Sequence, residues 1–260
     1  MSTQHDEQHF LGELMRLFDP VRIHGKDDDA FVKEVQQYYQ GLDPEEQQVF
    51  EQAVLRWLRS GDRLRQRQAA SLCWALRLKG CVDDLLRLGK SLHSESPSHM
   101  DLDWVIQALG KIGDAKAIDF LTEEALEESH RNGALASISQ IDLEQALQLI
   151  PKVLEDYWQS EQPPVRTQSL LWCLLHGHPK KDQGKVAWWL GASLSHFPNK
   201  EHLCEQFSQA SYGLDIDALT KVPQGLDYDT DGKRLVGRDK QRLMQAFREG
   251  LEQKPRQPEI

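Results

Sequence analysis

The stretch from Trp104 to Leu126, WVIQALGKIGDAKAIDFLTEEAL, reads as two helices joined by a tight turn. Apolar residues recur at three- and four-residue intervals on both sides of Gly113-Asp114, the spacing of one helix face. Gly113 stands where a helix C-cap takes a left-handed residue, and Ala117, Ile118 and Leu121 face back onto the first helix. The plan recurs upstream in AASLCWALRLKGCVDDLLRL, where Leu76 and Gly80 lie 33 residues before Leu109 and Gly113, with Gly80 read as the equivalent cap. Downstream, VRTQSLLWCLLHG closes at Gly177, 64 residues after Gly113, or two periods of 32. Between them GALASISQIDLEQALQLIPKVL fits a further pair with Asp142 in its turn. A two-helix unit of this length buries its apolar face only against its neighbours, which predicts an α-solenoid.

The rest of the chain has the same character. Helical spacing predicts helices at Phe31–Tyr39, Pro44–Arg59, Arg65–Leu78, Val82–Leu92, Leu102–Lys111, Ala115–Glu128, Leu143–Trp158, Val165–Leu175, Lys185–Ser195 and Arg238–Glu252. Asp43 before Pro44 reads as an N-cap with proline at the first helical position. Strand-type alternation is nearly absent, so the class is all-α. The expected organisation is one continuous domain. It comprises an N-terminal helical cap (1–60), helical repeats (61–200), and a C-terminal helical segment (201–260) with an Asp-rich turn.

ALGKIGDAKAIDFL resembles the end of the A helix, the turn and the start of the B helix in a short HEAT-like repeat of the phycobilisome-lyase type. Val165-Arg166, followed by Ser169, Leu170, Trp172 and Gly177, is similar to the same family's V-R-x-x-A-A pattern ending in glycine. The resemblance covers Gly61 to Phe197. It implies a right-handed α-solenoid of HEAT-like pairs in which the second helix of each pair lines the concave side. Such motifs specify packing and imply no chemistry.

Composition narrows the function. At 39% hydrophobic and 28% charged, the 260-residue chain suits a soluble helical protein rather than a disordered one. The start, MSTQHDEQHF, shows no signal-peptide pattern, and no apolar run reaches the length of a membrane span. Cys73, Cys81, Cys173 and Cys204 form no C-x-x-C and read as core thiols, which makes cytosol the expected compartment. Net charge is −10 in total and unevenly spread: residues 61–93 carry +4, 94–162 carry −10 and 163–200 carry +4. An acidic middle repels a phosphate backbone along most of the chain, which disfavours nucleic acid.

The same charge map singles out FLTEEALEE, where Glu123 and Glu127, and Glu124 and Glu128, stand at i, i+4 and Asp119 joins them. Charge runs are usually solvated faces. The sharper reading is a docking patch for a basic protein, on the helix that the resemblance places on the concave side. Of seven tryptophans (Trp57, Trp74, Trp104, Trp158, Trp172, Trp188 and Trp189) most fall on apolar faces and read as packing between repeats. Trp188 and Trp189 are adjacent and so point about 100° apart, which leaves one of them for a groove or a partner. The expected function is therefore a non-enzymatic protein-binding module, in its concrete form a cytosolic inhibitor of the immunity-protein kind, with no cofactor. The alternative is a HEAT-like enzyme. A DNA glycosylase would use Trp188, Trp189 and Arg166 on a basic face, and a bilin lyase rests on fold analogy alone.

Metal sites are weakly encoded. His5 and His9 lack a glutamate directly after the first histidine, and His176 and His178 sit beside Lys180 and Lys181. Asp227, Asp229, Asp231 and Gly232 spell D-x-D-x-D-G, the opening of a calcium loop, but the twelfth position is Arg238 where a bidentate acid is required. Pro223 and Gly225 also occupy the place of the incoming helix. A β-hairpin or ordered turn over 226–236, with Asp231-Gly232 at its tip, accounts for more of the residues than calcium does.

Overall fold

The computed structural model describes residues 9–10, 12–13, 15–16, 28–96, 99–127, 129–158, 175, 183–210, 227–228, 234–235 and 237–253. Eleven helices are considered: α1 (Asp28–Gly41), α2 (Pro44–Leu58), α3 (Arg63–Leu76), α4 (Val82–Glu95), α5 (Leu102–Ile112), α6 (Ile118–Leu126), α7 (Arg131–Ile141), α8 (Leu143–Trp158), α9 (Gln183–Ser193), α10 (Lys200–Ala210) and α11 (Gly237–Leu251). The protein is all-α apart from a two-residue antiparallel pairing of β1 (Asp227–Tyr228) with β2 (Arg234–Leu235). The Asp231-Gly232 tip and the calcium-loop position Asp229 lie outside the described residues. So do His5, His176, His178 and nearly all of the helix expected at Val165–Leu175. No helix among the described residues is long and apolar enough to cross a membrane.

Local chemistry sets the helix ends. The Asp43 carboxylate accepts from Glu45 N and Glu46 N, and Glu46 reaches back to Asp43 N, a capping box that starts α2 as its sequence predicts. Gly113 is left-handed at φ 78° and closes α5. Gly80, however, caps nothing. The left-handed residue that ends α3 is Arg77, at φ 55°, and Gly80 sits in a 3₁₀ turn (Lys79–Cys81) that leads into α4. Arg77 thus holds a conformation that costs a side-chain-bearing residue about 1 kcal/mol. Aligning Arg77 with Gly113 gives an offset of 36 residues, shared by the 3₁₀ turns (79 and 115) and the second helices (82 and 118). The 33-residue period drawn through the glycines was misaligned by three. The next second helix, α8, begins only 25 residues after α6, so no fixed period runs on.

The chain divides into two compact units, 1–120 and 121–260. In the first, α1, α3 and α5 lie side by side, α2 packs on α3 and α4, and α4 packs on α5. Gln36 Nε2 donates to the Ala75 carbonyl at 3.0 Å and ties α1 to α3. Phe50 is fully buried among Phe10, Tyr38 and Tyr39, whose ring centroids lie 6.3, 6.0 and 5.6 Å away. The Tyr39 hydroxyl donates to Glu51 Oε1 at 2.5 Å, and burial together with that carboxylate pushes its pKa up to about 12.

Two cation–ring contacts join α3 to α5: Arg67 over Trp104 at 5.1 Å and Lys111 over Trp74 at 6.0 Å. Residues seven apart on one helix meet residues seven apart, in the same order, on the other, so the two helices run parallel. Trp74 and Trp104 are thereby accounted for as packing between helix pairs, and Trp57 is buried on α2.

In the second unit α7 packs on α8, α8 on α9, and α10 on α11. The closest packing joins α9 to α11. A methyl group at Gly191 would fall on the Phe247 carbonyl oxygen and 2.9 Å from Leu251 N. One at Gly250 would fall on the Trp188 carbonyl oxygen and 2.8 Å from Ala192 N. The backbones touch here because both helices carry glycine at the crossing.

A buried carboxylate, Asp84 on α4, is held by two exposed arginines: Arg59, which caps the end of α2, and Arg87. Arg59 donates from Nε to Asp84 Oδ1 at 2.9 Å and from Nη2 to Oδ2 at 2.7 Å, while Arg87 Nη1 reaches Oδ1 at 2.7 Å. These bonds hold the Asp84 carboxyl, 6% exposed, below the usual aspartate range against the opposing effect of burial. A depressed folded-state pKa means the contribution is complete above the unfolded-chain value of about 4 and fades as pH falls through the folded value. Asp84→Asn should therefore lower stability at pH 7 by about 1–3 kcal/mol. The gap from wild type should narrow below pH 4 in urea titrations; a gap constant across pH would exclude this account.

Candidate functional site

The acidic stretch maps onto α6. Asp114 caps the 3₁₀ turn (Ala115–Ala117) that leads into it, accepting from Lys116 N at 2.9 Å, and Arg131 closes it by donating to the carbonyls of Ala125 at 3.4 Å and Leu126 at 3.2 Å. Asp119, Glu123 and Glu127 are exposed, and their carboxylates make no ion pair among the described residues. Asp119 and Glu123 share one helical row, and Glu127 follows directly after the last helical residue. Leu126 beside them is 42% exposed.

Glu124 does not belong to this face. It is 1% exposed, on the buried side of α6 with Phe120, Leu121 and Ala125. The signal was in the sequence: 117, 121 and 124 follow helical spacing, so 124 falls on the row that carries the core. Reading Glu123 and Glu124 as one patch overlooked the 100° between adjacent residues. Glu128 lies outside the described residues. Among the described residues the patch is therefore Asp119, Glu123 and Glu127, without Glu124.

Trp188 and Trp189 are both half-buried, edge to face with centroids 5.2 Å apart. The Trp188 backbone sits at the α9–α11 crossing, so this residue is anchored from its main chain. Arg166, the third member of the glycosylase reading, lies outside the described residues.

The basic band of 61–93 is largely engaged within its own unit. Arg63 pairs with Glu95, Arg65 with Asp62 at 3.5 Å, Arg87 with Asp84, and Arg67 covers Trp104. Beyond the band Lys116 reaches back to Asp83 at 3.3 Å. Arg63, Arg67 and Lys116 join separate elements, a use that their spacing in sequence did not disclose, while Arg65 and Arg87 pair within one turn of chain.

Cys73 and Cys81 are buried, and burial pushes the Cys73 thiol up. Cys204 is half-buried. Among the described residues no three histidine, cysteine or acidic side chains are grouped to hold a metal ion. One helix went unread. HFPNKEHLCEQFSQA contains α10, announced by Asn199, whose side chain accepts from His202 N at 3.0 Å, and by Leu203 and Phe207 at i, i+4.

No family model matches the chain, and no curated protein or solved structure matches it.

Proposed function

We propose that this protein is a non-enzymatic protein-binding module of HEAT-like helix pairs that docks a basic protein through Asp119, Glu123 and Glu127. The observation that carries the reading is the exposure of these carboxylates with no ion pair of their own among the described residues, beside the exposed Leu126. Carboxylates left uncompensated are ready to meet lysine and arginine, and such contacts act mainly on association rate and salt dependence. The recurrent helix–3₁₀–helix order and the parallel packing of α3 with α5 support the HEAT-like reading of the first unit. In its concrete form the module is an inhibitor of the immunity type that covers the working surface of a basic protein.

Glu123→Lys with Glu127→Lys tests this. Both side chains are exposed, so the helix content seen by circular dichroism should be unchanged. Basic proteins captured from native lysate by the wild type at low salt should be lost with the double variant and should weaken as salt rises. Capture that survives both changes would mean that α6 presents a solvated face and that binding lies elsewhere.

A further inference from the structure

The groove between α10 and α11 uses chemistry different from that of the α6 carboxylates. The two helices run antiparallel. Lys200 Nζ, at the start of α10, donates to the Leu251 carbonyl at the end of α11 with a 2.6 Å bond. The rings of Phe207 and Phe247 stack at 4.1 Å and 2° between the helices. Beside this seam is an open groove of about 640 Å³. One wall carries Glu201, Cys204 and Glu205 and the other Met244, Arg248 and Glu252, with Leu251 at one end.

Both walls repeat at helical spacing, so the groove is linear. From Lys200 to Ser208 it runs about 12 Å, at 1.5 Å per residue. Its floor is apolar: Cys204 and Met244 are half-buried and Leu251 is buried. Charge is arranged by wall. Glu201 and Glu205 stand one turn apart on the α10 rim, both exposed, with His202 Nδ1 3.9 Å from Glu205. On the α11 rim the exposed Arg248 stands one turn before Glu252.

We propose that this groove binds an amphipathic helical segment of a partner protein. Its apolar stripe lies on Cys204, Met244 and Leu251, and two basic side chains one turn apart meet Glu201 and Glu205. An acidic side chain on the opposite flank meets Arg248, which fixes the direction of the segment. Length argues for a helix over a small molecule, because a compact amine engages one carboxylate while a two-turn segment engages both and covers the whole floor.

Cys204 is a reporter already in place. The probe is a helical peptide of about 14 residues, four turns, with leucines at i, i+3 and i+7 flanked on one side by lysines and on the other by one glutamate. Alkylation of the full-length chain by N-ethylmaleimide, followed at Cys204 by peptide mapping, should slow about tenfold when the peptide saturates. Glu201→Lys with Glu205→Lys should weaken peptide binding about tenfold. A peptide with glutamates in place of the lysines should restore it, which also shows that the variant is folded. Glu123→Lys with Glu127→Lys should leave it unchanged, so failure at α6 and failure here are told apart. The proposal is overturned if Cys204 stays unprotected at millimolar peptide, if charge reversal on α10 has no effect, or if hexylamine protects as well as the peptide.

Discussion

Gly191→Ala should destabilise the second unit by about 3 kcal/mol or more, at the upper end of what an added methyl does in a packed site. The reason is that the new methyl meets main chain, which cannot turn aside as a flexible side chain can. At Gly191 it lands on the Phe247 carbonyl, and relief requires α9 and α11 to separate along their contact. Gly250→Ala meets the same obstacle from the other helix, against the Trp188 carbonyl. The double variant should be less destabilised than the two single losses added together, because the first methyl already opens the space that the second needs. Urea unfolding followed by circular dichroism measures all three. Additive losses, losses under about 1 kcal/mol, or the gain of about 1 kcal/mol that alanine ordinarily brings over glycine in a helix, would show that the backbones do not touch.

In the first unit the largest loss should follow Phe50→Ala, at about 3–5 kcal/mol. Phe50 is fully buried with three aromatic rings around it, so truncation leaves a void that Phe10, Tyr38 and Tyr39 line from separate directions. Collapse is opposed by the bond from Tyr39 to Glu51, which holds one of those rings in place. Phe50→Leu keeps most of the volume and should lose less than half as much. Equal losses from the two variants would place the energy in the edge-to-face ring contacts rather than in filled volume.

Helix positions were legible where periodicity and capping agreed. Asp43-Pro44, Gly113-Asp114 and the whole of Leu143–Trp158 are visible in the residue order because the forces that set them are local. What escaped depends on the partner helix. Gly191 and Gly250 look like weak points in otherwise ordinary helices until the facing backbone is known. Arg77 shows no sign of a left-handed cap, and the nearby Gly80 drew the alignment away from it. Glu124 was a simpler oversight, since its helical row alone assigns it to the interior. The groove of α10 and α11 needed both an unread helix and its antiparallel neighbour before its charges formed a pattern.

The two cation–ring contacts between α3 and α5 act as a key that fits in one position. The cation comes from α3 in the first, Arg67, and from α5 in the second, Lys111, with seven residues between contacts on either helix. A slip of two turns one way would set Arg67 against Lys111, like charge on like. A slip the other way would set Trp74 against Trp104 and leave both cations without a ring. Each wrong alignment therefore loses both contacts together, so helices stacked by interchangeable apolar residues still have a single setting.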